Sequence, residues 1–295
     1  MTLRRFTLLA ALLLAACSPK PERPIVTIGV VTDIHYYRDR ETAGTRHYAL
    51  SADKLGEAVD FFNEQDVDFT VSLGDTFDPD IATYQDLSDQ FSRLDNPVYK
   101  VLGNHDCIAP YGSDKQNEVL EAMGIDNPYY SIRGGKGFRY VFIDGNDISI
   151  QSTAPGTPER EMAEEKLRQL VEEGAPMARN YNGMLSYKQT KWLKAEIEDA
   201  ADAGEEVIIF GHMPLLPLGI DAAQWDGEKV DSLLQGYRNV RAVFSGHHHS
   251  GAHCQSGHIM HHTFKGMIED TGNHYGIIRV YKNHIDVTEY PEEKN

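Results

Sequence analysis

Val98-Tyr99-Lys100-Val101-Leu102 runs directly into Gly103-Asn104-His105-Asp106, and this stretch decides the architecture. A short apolar strand ending in a glycine turn delivers an amide, an imidazole and a carboxylate to one point. Taken alone the tetrad reads as a turn, because surface loops use Asn and Asp freely. Four further stretches change that reading: Asp33-Ile34-His35 and Gly74-Asp75 upstream, Gly211-His212 and Gly246-His247-His248-His249 downstream. Each follows an apolar, β-rich run. All five are therefore expected at carboxyl ends of strands, where open α/β sheets place their sites.

Outward from that stretch the chain reads as α/β. Val26 to Thr32, Asp68 to Leu73 and Val98 to Leu102 predict buried strands. Between them, helical spacing runs from about His47 to Glu64 (Leu50, Leu55, Val59, Phe62) and recurs at Leu87, Phe91 and Leu94, closed by Asn96-Pro97. This rhythm implies parallel strands joined by right-handed crossovers. Tyr129 to Ile132 and Phe138 to Asp144 flank Gly134-Gly135-Lys136-Gly137, a hairpin signal. Thr157-Pro158-Glu159 opens a helix that should end near Gly174. Ser186-Tyr187-Lys188-Gln189 is a capping box for a helix through about Ala203, with Trp192, Leu193 and Ile197 facing in. Glu206 to Phe210 and Val240 to Ser245 predict two more buried strands. Ile259 to Tyr290 predicts antiparallel strands turning at Gly272-Asn273 and Lys282-Asn283. No repeat, low-complexity tract or interior linker interrupts this, so residues 25–295 read as one domain.

The 295 residues are 41% hydrophobic and 25% charged, an ordinary globular balance. A formal charge of −17 with no basic stripe argues against nucleic acid as a partner. At the start, Arg4 and Arg5 precede the apolar run Leu8 to Ala16. That run is too short to span a bilayer, which takes ~20 residues, and reads as a leader. Leu14-Ala15-Ala16-Cys17 resembles the bacterial lipoprotein box, which implies that residues 1–16 are removed and Cys17 is lipidated. The alternative is an ordinary signal peptide with an incidental Cys. Residues 17–24, rich in Pro, then read as a tether. The expectation is a lipid-anchored protein of the bacterial cell envelope, facing the periplasm or in the outer membrane, with no protein partner. Only Cys107 and Cys254 remain beyond the tether. A disulfide between them is left open, and two free buried thiols are the plainer expectation.

Imidazole and carboxylate ligands at strand ends suit Mn, Fe or Zn, with carboxylate favouring the harder ions. In a strictly extended segment the one-residue spacing turns Asp33 and His35 to the same side, and likewise His247 and His249, with His248 pointing away. Arg46 offers a fork that matches phosphate oxygens, although a surface role fits it equally. Of the tail histidines His253, His258, His261 and His262, most read as ordinary strand positions, with His261 the least ordinary. No nucleophile elbow, P-loop or dinucleotide fingerprint is present.

In this order, Asp33-x-His35, Gly74-Asp75, Gly103-Asn104-His105-Asp106, Gly211-His212 and Gly246-His247-x-His249 resemble the motif set of the calcineurin-like metallophosphoesterases. The resemblance implies a four-layer α-β-β-α sandwich with two mixed β-sheets. It also implies two divalent ions, one held by Asp33, His35, Asp75 and His249, the other by Asp75, Asn104, His212 and His247. His105 would sit beside the substrate phosphate. Two ions ~3.5–4 Å apart can share and acidify a water, giving a bridging hydroxide for in-line attack on phosphorus. An imidazole such as His105 suits protonation of the leaving oxygen. Asp106 would orient His105 or a metal ligand from behind.

A closer resemblance, to the manganese-dependent ADP-ribose/CDP-alcohol diphosphatases, covers most of the body. It is carried by Gly44-Thr45-Arg46, Phe142-Ile143-Asp144, Asn182-Gly183-Met184-Leu185-Ser186, Gly266-Met267-Ile268-Glu269 and His274-Tyr275-Gly276. His35 stands where that branch often carries Gln, so the first metal position is more typical of the wider superfamily. The resemblance implies a small nucleotide-derived phosphorylated substrate and Mn²⁺ as the leading ion. The rivals are a phosphomonoesterase or cyclic phosphodiesterase with the same metals, and a metal-binding or structural lipoprotein without catalysis.

Overall fold

The computed structural model describes residues 22–78, 80–108 and 113–291, so the leader, Cys17 and the first part of the tether lie outside the described residues. The first half contains β1 (Val26–Val31), α1 (Ser51–Glu64), β2 (Phe69–Ser72), α2 (Tyr84–Phe91), β3 (Val98–Lys100), α3 (Asn104–Ile108) and α4 (Ser113–Met123). The middle adds β4 (Tyr130–Gly135), β5 (Phe138–Phe142), β6 (Ile148–Ser149), α5 (Pro158–Glu172), β7 (Gly183–Met184) and α6 (Tyr187–Asp202). The last part holds β8 (Glu206–Phe210), α7 (Gly227–Leu234), β9 (Val240–Ser245), β10 (Ser250–Ser256), β11 (Ile259–Lys265), β12 (Tyr275–Val280) and β13 (Ile285–Tyr290).

Two mixed sheets face each other. One has the order β13-β12-β1-β2-β3, the other β10-β11-β9-β8-β5-β4. In the first, β1, β2 and β3 are parallel and β12 lies antiparallel on β1. In the second, β5, β8, β9 and β11 are parallel, with β4 and β10 antiparallel at the edges. Period-two alternation divides each strand between two cores. Val26, Ile28 and Val30 of β1 and Ile208 and Phe210 of β8 meet between the sheets. Val31 joins Leu55, Val59 and Phe62 of α1 and Leu87 of α2 on one outer face. Val207 and Ile209 join Leu193 and Ile197 of α6 on the other. Burying each such side chain contributes about 1.5–3 kcal/mol. The layers are helix, sheet, sheet, helix, as the family resemblance implies.

Several expectations are corrected. The chain does not turn back on itself at Gly272-Asn273: β11 pairs in parallel with β9 and β12 antiparallel with β1, so this segment crosses from one sheet to the other. Alternation shows that a strand has a buried face but not which sheet owns it. The hairpin at Lys282-Asn283 does form, between β12 and β13. Helices α4 and α7 and strand β10 are not anticipated, since His, Ser and Gln in β10 carry no apolar period. Ser186 caps α6 by accepting the Gln189 N–H at 3.1 Å, but the box is one-sided. The Gln189 amide instead pairs with the backbone of Asp144. Among the described residues Cys107 is free and buried, and Cys254 is free but only partly buried. No described helix is long and apolar enough to cross a membrane.

Candidate metal centre

All five motifs do leave strand ends, from both sheets. Asp33, Asp75 and Asn104 follow β1, β2 and β3, whereas His212 and His247 follow β8 and β9. The approach is close enough to demand glycine. A Cβ on Gly103 would stand 2.1 Å from the backbone nitrogen and Oδ1 of Asp75, and one on Gly246 would stand 1.9 Å from Thr32 Oγ1. The ligand loops are not extended, contrary to the spacing argument. Asp33, His35, Asp75 and His247 have φ of 50°, 46°, 52° and 65°. Left-handed backbone at a non-glycine residue costs on the order of 1 kcal/mol, and such strain concentrates at functional sites. Asp33 and His35 converge because the chain twists, while Ile34 is buried in the helix-side core.

Two clusters result, joined by one carboxylate. In the first, His249 Nε2 lies 3.3 Å from Asp33 Oδ1 and 3.3 Å from His35 Nε2. In the second, His212 Nε2 lies 3.2 Å from Asn104 Oδ1 and 3.1 Å from His247 Nδ1. Asp75 Oδ2 reaches both, at 3.3 Å from His35 Nε2 and 3.4 Å from His212 Nε2. Asp33, His35 and His212 are fully buried, and Asp33 Oδ1 has no hydrogen-bond partner.

The outer nitrogens fix the tautomers. His212 Nδ1 is 2.7 Å from the Leu73 carbonyl, so it carries the proton. His247 Nε2 is 2.8 Å from Asn182 Oδ1. The Asn182 amide is held in that orientation because its Nδ2 donates to the Met177 and Asp221 carbonyls. His247 Nε2 is therefore the donor. In the neutral rings, two bare lone pairs then face each other at 3.1 Å beside a buried carboxylate. A cation satisfies that arrangement, and a divalent ion can engage both nitrogens at once where a proton sits on one. The metal-free electrostatics say the same. Burial opposes charge on His212, yet Asp75 lifts it to about 9, while burial and the charged His212 drive His247 down to about 3. Burial likewise opposes charge on His249, and Asp33 lifts it to about 9. Burial pushes Asp75 up, but His212, His105 and His35 together hold it below the ordinary carboxylate range. The donor set of carboxylate, imidazole and one amide oxygen fits hard to borderline divalent ions.

His105 faces both clusters from α3. Its N–H donates to Asp75 Oδ1 at 2.8 Å, and its ring meets His35 edge-on with centroids 4.4 Å apart. The group behind it is Asp78, whose Oδ1 lies 3.1 Å from His105 Nδ1. Of the two roles expected for Asp106, orienting His105 or a metal ligand, its contacts fit the second. It accepts the Gly103, Thr76 and Phe77 N–H groups and so ties together the loops that carry Asp75 and Asn104. An open cavity of about 480 Å³ lies over the centre, lined by His105, Asn104, Arg46, Gln151, Tyr181 and Glu269 among others. Arg46 is thus at the site, 3.4 Å from Glu269 Oε1. His248 belongs to neither cluster but lines the cavity rather than turning away. His261 is not at the site. It is buried on β11 with Nε2 3.0 Å from Asp231 of α7.

The calcineurin-like phosphoesterase family model matches residues 26–251. The chain belongs to that family. It is a metal-dependent phosphoesterase with a dinuclear centre, which Asp33-His35-His249 and Asp75-His212-His247 fit; a third group, His35-Asp75-His105, shares one residue with each. Among curated proteins, this phosphoesterase is 28% identical to the manganese-dependent ADP-ribose/CDP-alcohol diphosphatase of Arabidopsis thaliana, over 90% of this chain and 94% of that one. It is 26% identical to the protein of the same name from Danio rerio, over 88% and 93%. Among solved structures, a dimetal phosphatase from Danio rerio superposes with a TM-score of 0.78 at 23% identity, covering 90% of this chain and 96% of that one. That likeness confirms the sandwich.

Three functional neighbours escape sequence reasoning. Asn182 and Glu269 lie in segments that carry the closer resemblance, so their positions are flagged but not their work. Asp78 follows Asp75 by three residues in a polar loop and gives no signal at all.

Proposed function

We propose that this phosphoesterase hydrolyses the phosphoanhydride bond of small nucleoside diphosphate derivatives of the ADP-ribose or CDP-alcohol type, with two Mn²⁺ ions. The observation that carries the reading is the pair of facing histidine nitrogens around a shared carboxylate, under an open cavity, in a chain whose full-length relatives bear that activity in their names. Asp33, His35, Asp75 and His249 would hold the first ion, and Asp75, Asn104, His212 and His247 the second, with Asp75 bridging. Bound there, the ions supply an acidified water as nucleophile and neutralise charge on the phosphoryl oxygens.

The chain's own groups do the rest. His105, at the cavity floor beside Asp75, donates its proton to the leaving oxygen, and Asp78 holds that ring oriented and protonated. Arg46, on the cavity wall, grips the second phosphate through its fork. The carboxylates and the strained loops keep the ligands preorganised, so little rearrangement accompanies the reaction.

The deciding experiment is turnover by purified residues 18–295 with Mn²⁺ on ADP-ribose, CDP-choline, a cyclic nucleotide, a nucleoside monophosphate and an aryl phosphodiester. Preferential cleavage of the two diphosphates is expected, with Arg46→Ala raising KM for them about tenfold. Cleavage of the monoester or cyclic substrates alone would keep the metal centre and remove the diphosphatase assignment. Bound metal without turnover would favour a binding protein.

The leader adds a location. Leu14-Ala15-Ala16-Cys17 supports a lipid anchor at Cys17 in the bacterial envelope, with the catalytic body outside the cytoplasm. In cells making the full chain, the protein is expected in the membrane fraction, and Cys17→Ala should release or strand it unprocessed. Wild-type protein found entirely in the soluble fraction would remove the anchor.

A further inference from the structure

The outer partners of the metal-facing histidines are not equivalent. His212 is backed by the Leu73 carbonyl and His247 by the Asn182 amide, both neutral. His249 alone is backed by a carboxylate within hydrogen-bond distance, Glu269, whose Oε1 lies 2.6 Å from Nδ1. The corresponding contact of His35 is looser, with Nδ1 3.7 Å from Asp78 Oδ2.

Glu269 is itself firmly built in. Thr45 Oγ1 donates to its Oε2. Its segment hydrogen-bonds to both sides of the first cluster: the Gly266 N–H donates to the His249 carbonyl, Met267 to Thr32 and Ile268 to Asp33. From below, the buried Lys54 ammonium donates to the carbonyls of Met267, Glu269 and Asp270 at 2.8, 3.1 and 2.7 Å. A buried lysine given to three carbonyls of one turn fixes that turn in place. The Arg46 Nε, 3.4 Å from the same Oε1, links the cavity wall to it.

We propose that Glu269 is a positioning residue that fixes the ring and tautomer of His249 and raises its basicity, and so sets the affinity of the first metal site specifically. The inference rests on the ligand assignment above. With Nδ1–H donated to a carboxylate, Nε2 is the only lone pair His249 can present, and the negative charge behind the ring strengthens it as a donor. The neutral carbonyls behind His212 and His247 fix tautomers without adding charge. Losing a carboxylate of this kind typically costs a metal site ~10–100-fold in affinity.

The test is calorimetric titration of metal-free mature protein with Mn²⁺ for wild type, Glu269→Ala and Glu269→Gln, with the thermal midpoint of each metal-free protein measured alongside. Wild type is expected to take up two ions. Glu269→Ala should weaken one binding step by ~10–100-fold and leave the other near wild type. Glu269→Gln keeps the shape and an acceptor oxygen but not the charge, and should fall between. Its thermal midpoint should stay near wild type, which a merely structural role would not combine with a selective loss of metal. Should Glu269→Ala not fold, the Gln variant alone decides. Two ions bound by the variants with wild-type affinity would overturn the role of Glu269 and leave the metal centre standing. No Mn²⁺ uptake by wild type would overturn the ligand assignment beneath it.

Discussion

Asp75→Asn is expected to reduce kcat/KM at least ~10³-fold and to leave the protein unable to hold two Mn²⁺ ions together. Among the described residues, Asp75 Oδ2 is the one carboxylate oxygen within 3.4 Å of a nitrogen in each histidine cluster. Its Oδ1 also accepts the His105 N–H, so both oxygens are committed. An asparagine can keep one acceptor but turns an NH₂ toward the other partner and removes the charge that both ions share. The buried rings of His35 and His212 would lose their common counter-charge as well. The check is metal content by mass spectrometry beside turnover. Two tightly held ions with activity within tenfold of wild type would remove the bridging role from Asp75.

His105→Ala should behave differently: kcat falls ~10²–10⁴-fold while both ions stay bound. His105 touches Asp75 through its backbone, which alanine preserves, and its ring contributes to no assigned ligand set. Asp78→Asn separates the ring from its support. Burial disfavours the His105 imidazolium, but Asp75 and Asp78 outweigh burial and raise its pKa above the ordinary value. When the charge of Asp75 is shared with two ions, Asp78 is left as the group that holds the proton. A general acid whose pKa is raised works below that pKa, and its activity is lost as pH rises through it. Asp78→Asn should therefore move the alkaline limb of kcat/KM down by about one pH unit, with a smaller loss at low pH. Profiles of wild type and Asp78→Asn that superimpose would exclude Asp78 from the acid's support.

That the five motifs meet at strand ends was legible in the sequence, because apolar strand ends do not otherwise collect such residue types; which ion each would hold came from the family resemblance. Gly103 and Gly246 were legible as part of the same signature, and the structure supplies the reason, since any side chain there would collide with Asp75 or Thr32. What escaped is what depends on tertiary path. Whether β12 returns to β11 or crosses to β1 is decided by which sheet has a free edge, and local alternation does not encode that. The sequence leaves open whether Asp106 supports His105 or a metal ligand. The structure turns Asp106 to the N–H groups of the β2 loop, and it is Asp78 from that loop whose carboxylate comes within 3.1 Å of His105 Nδ1. His261 looked distinctive among tail histidines, yet its partner is Asp231 of an unforeseen helix. The left-handed backbone at Asp33, His35, Asp75 and His247 was also hidden, because Asp and His adopt it more often than most residues but too rarely for their presence to announce it.

The five strand ends belong to two sheets that share no hydrogen-bonded ladder at the centre. The span between Asp33, Asp75 and Asn104 on one side and His212 and His247 on the other follows the thickness of the apolar leaf between them, and two hydrogen bonds pin it at the rim, His212 Nδ1 to the Leu73 carbonyl and the His247 N–H to Asp33 Oδ2. Phe69 against Tyr140, with ring centroids 4.8 Å apart, and Tyr99 against Phe142, at 5.7 Å, act as spacers in that leaf. The reactive centre is thus gauged like the jaws of a caliper, by parts that never touch substrate. A methylene gained or lost among those rings alters the opening of the jaws for both ions at once, whereas one lost under α1 and α2, where Ile34 packs, bears on the loop of Asp33 and His35 alone.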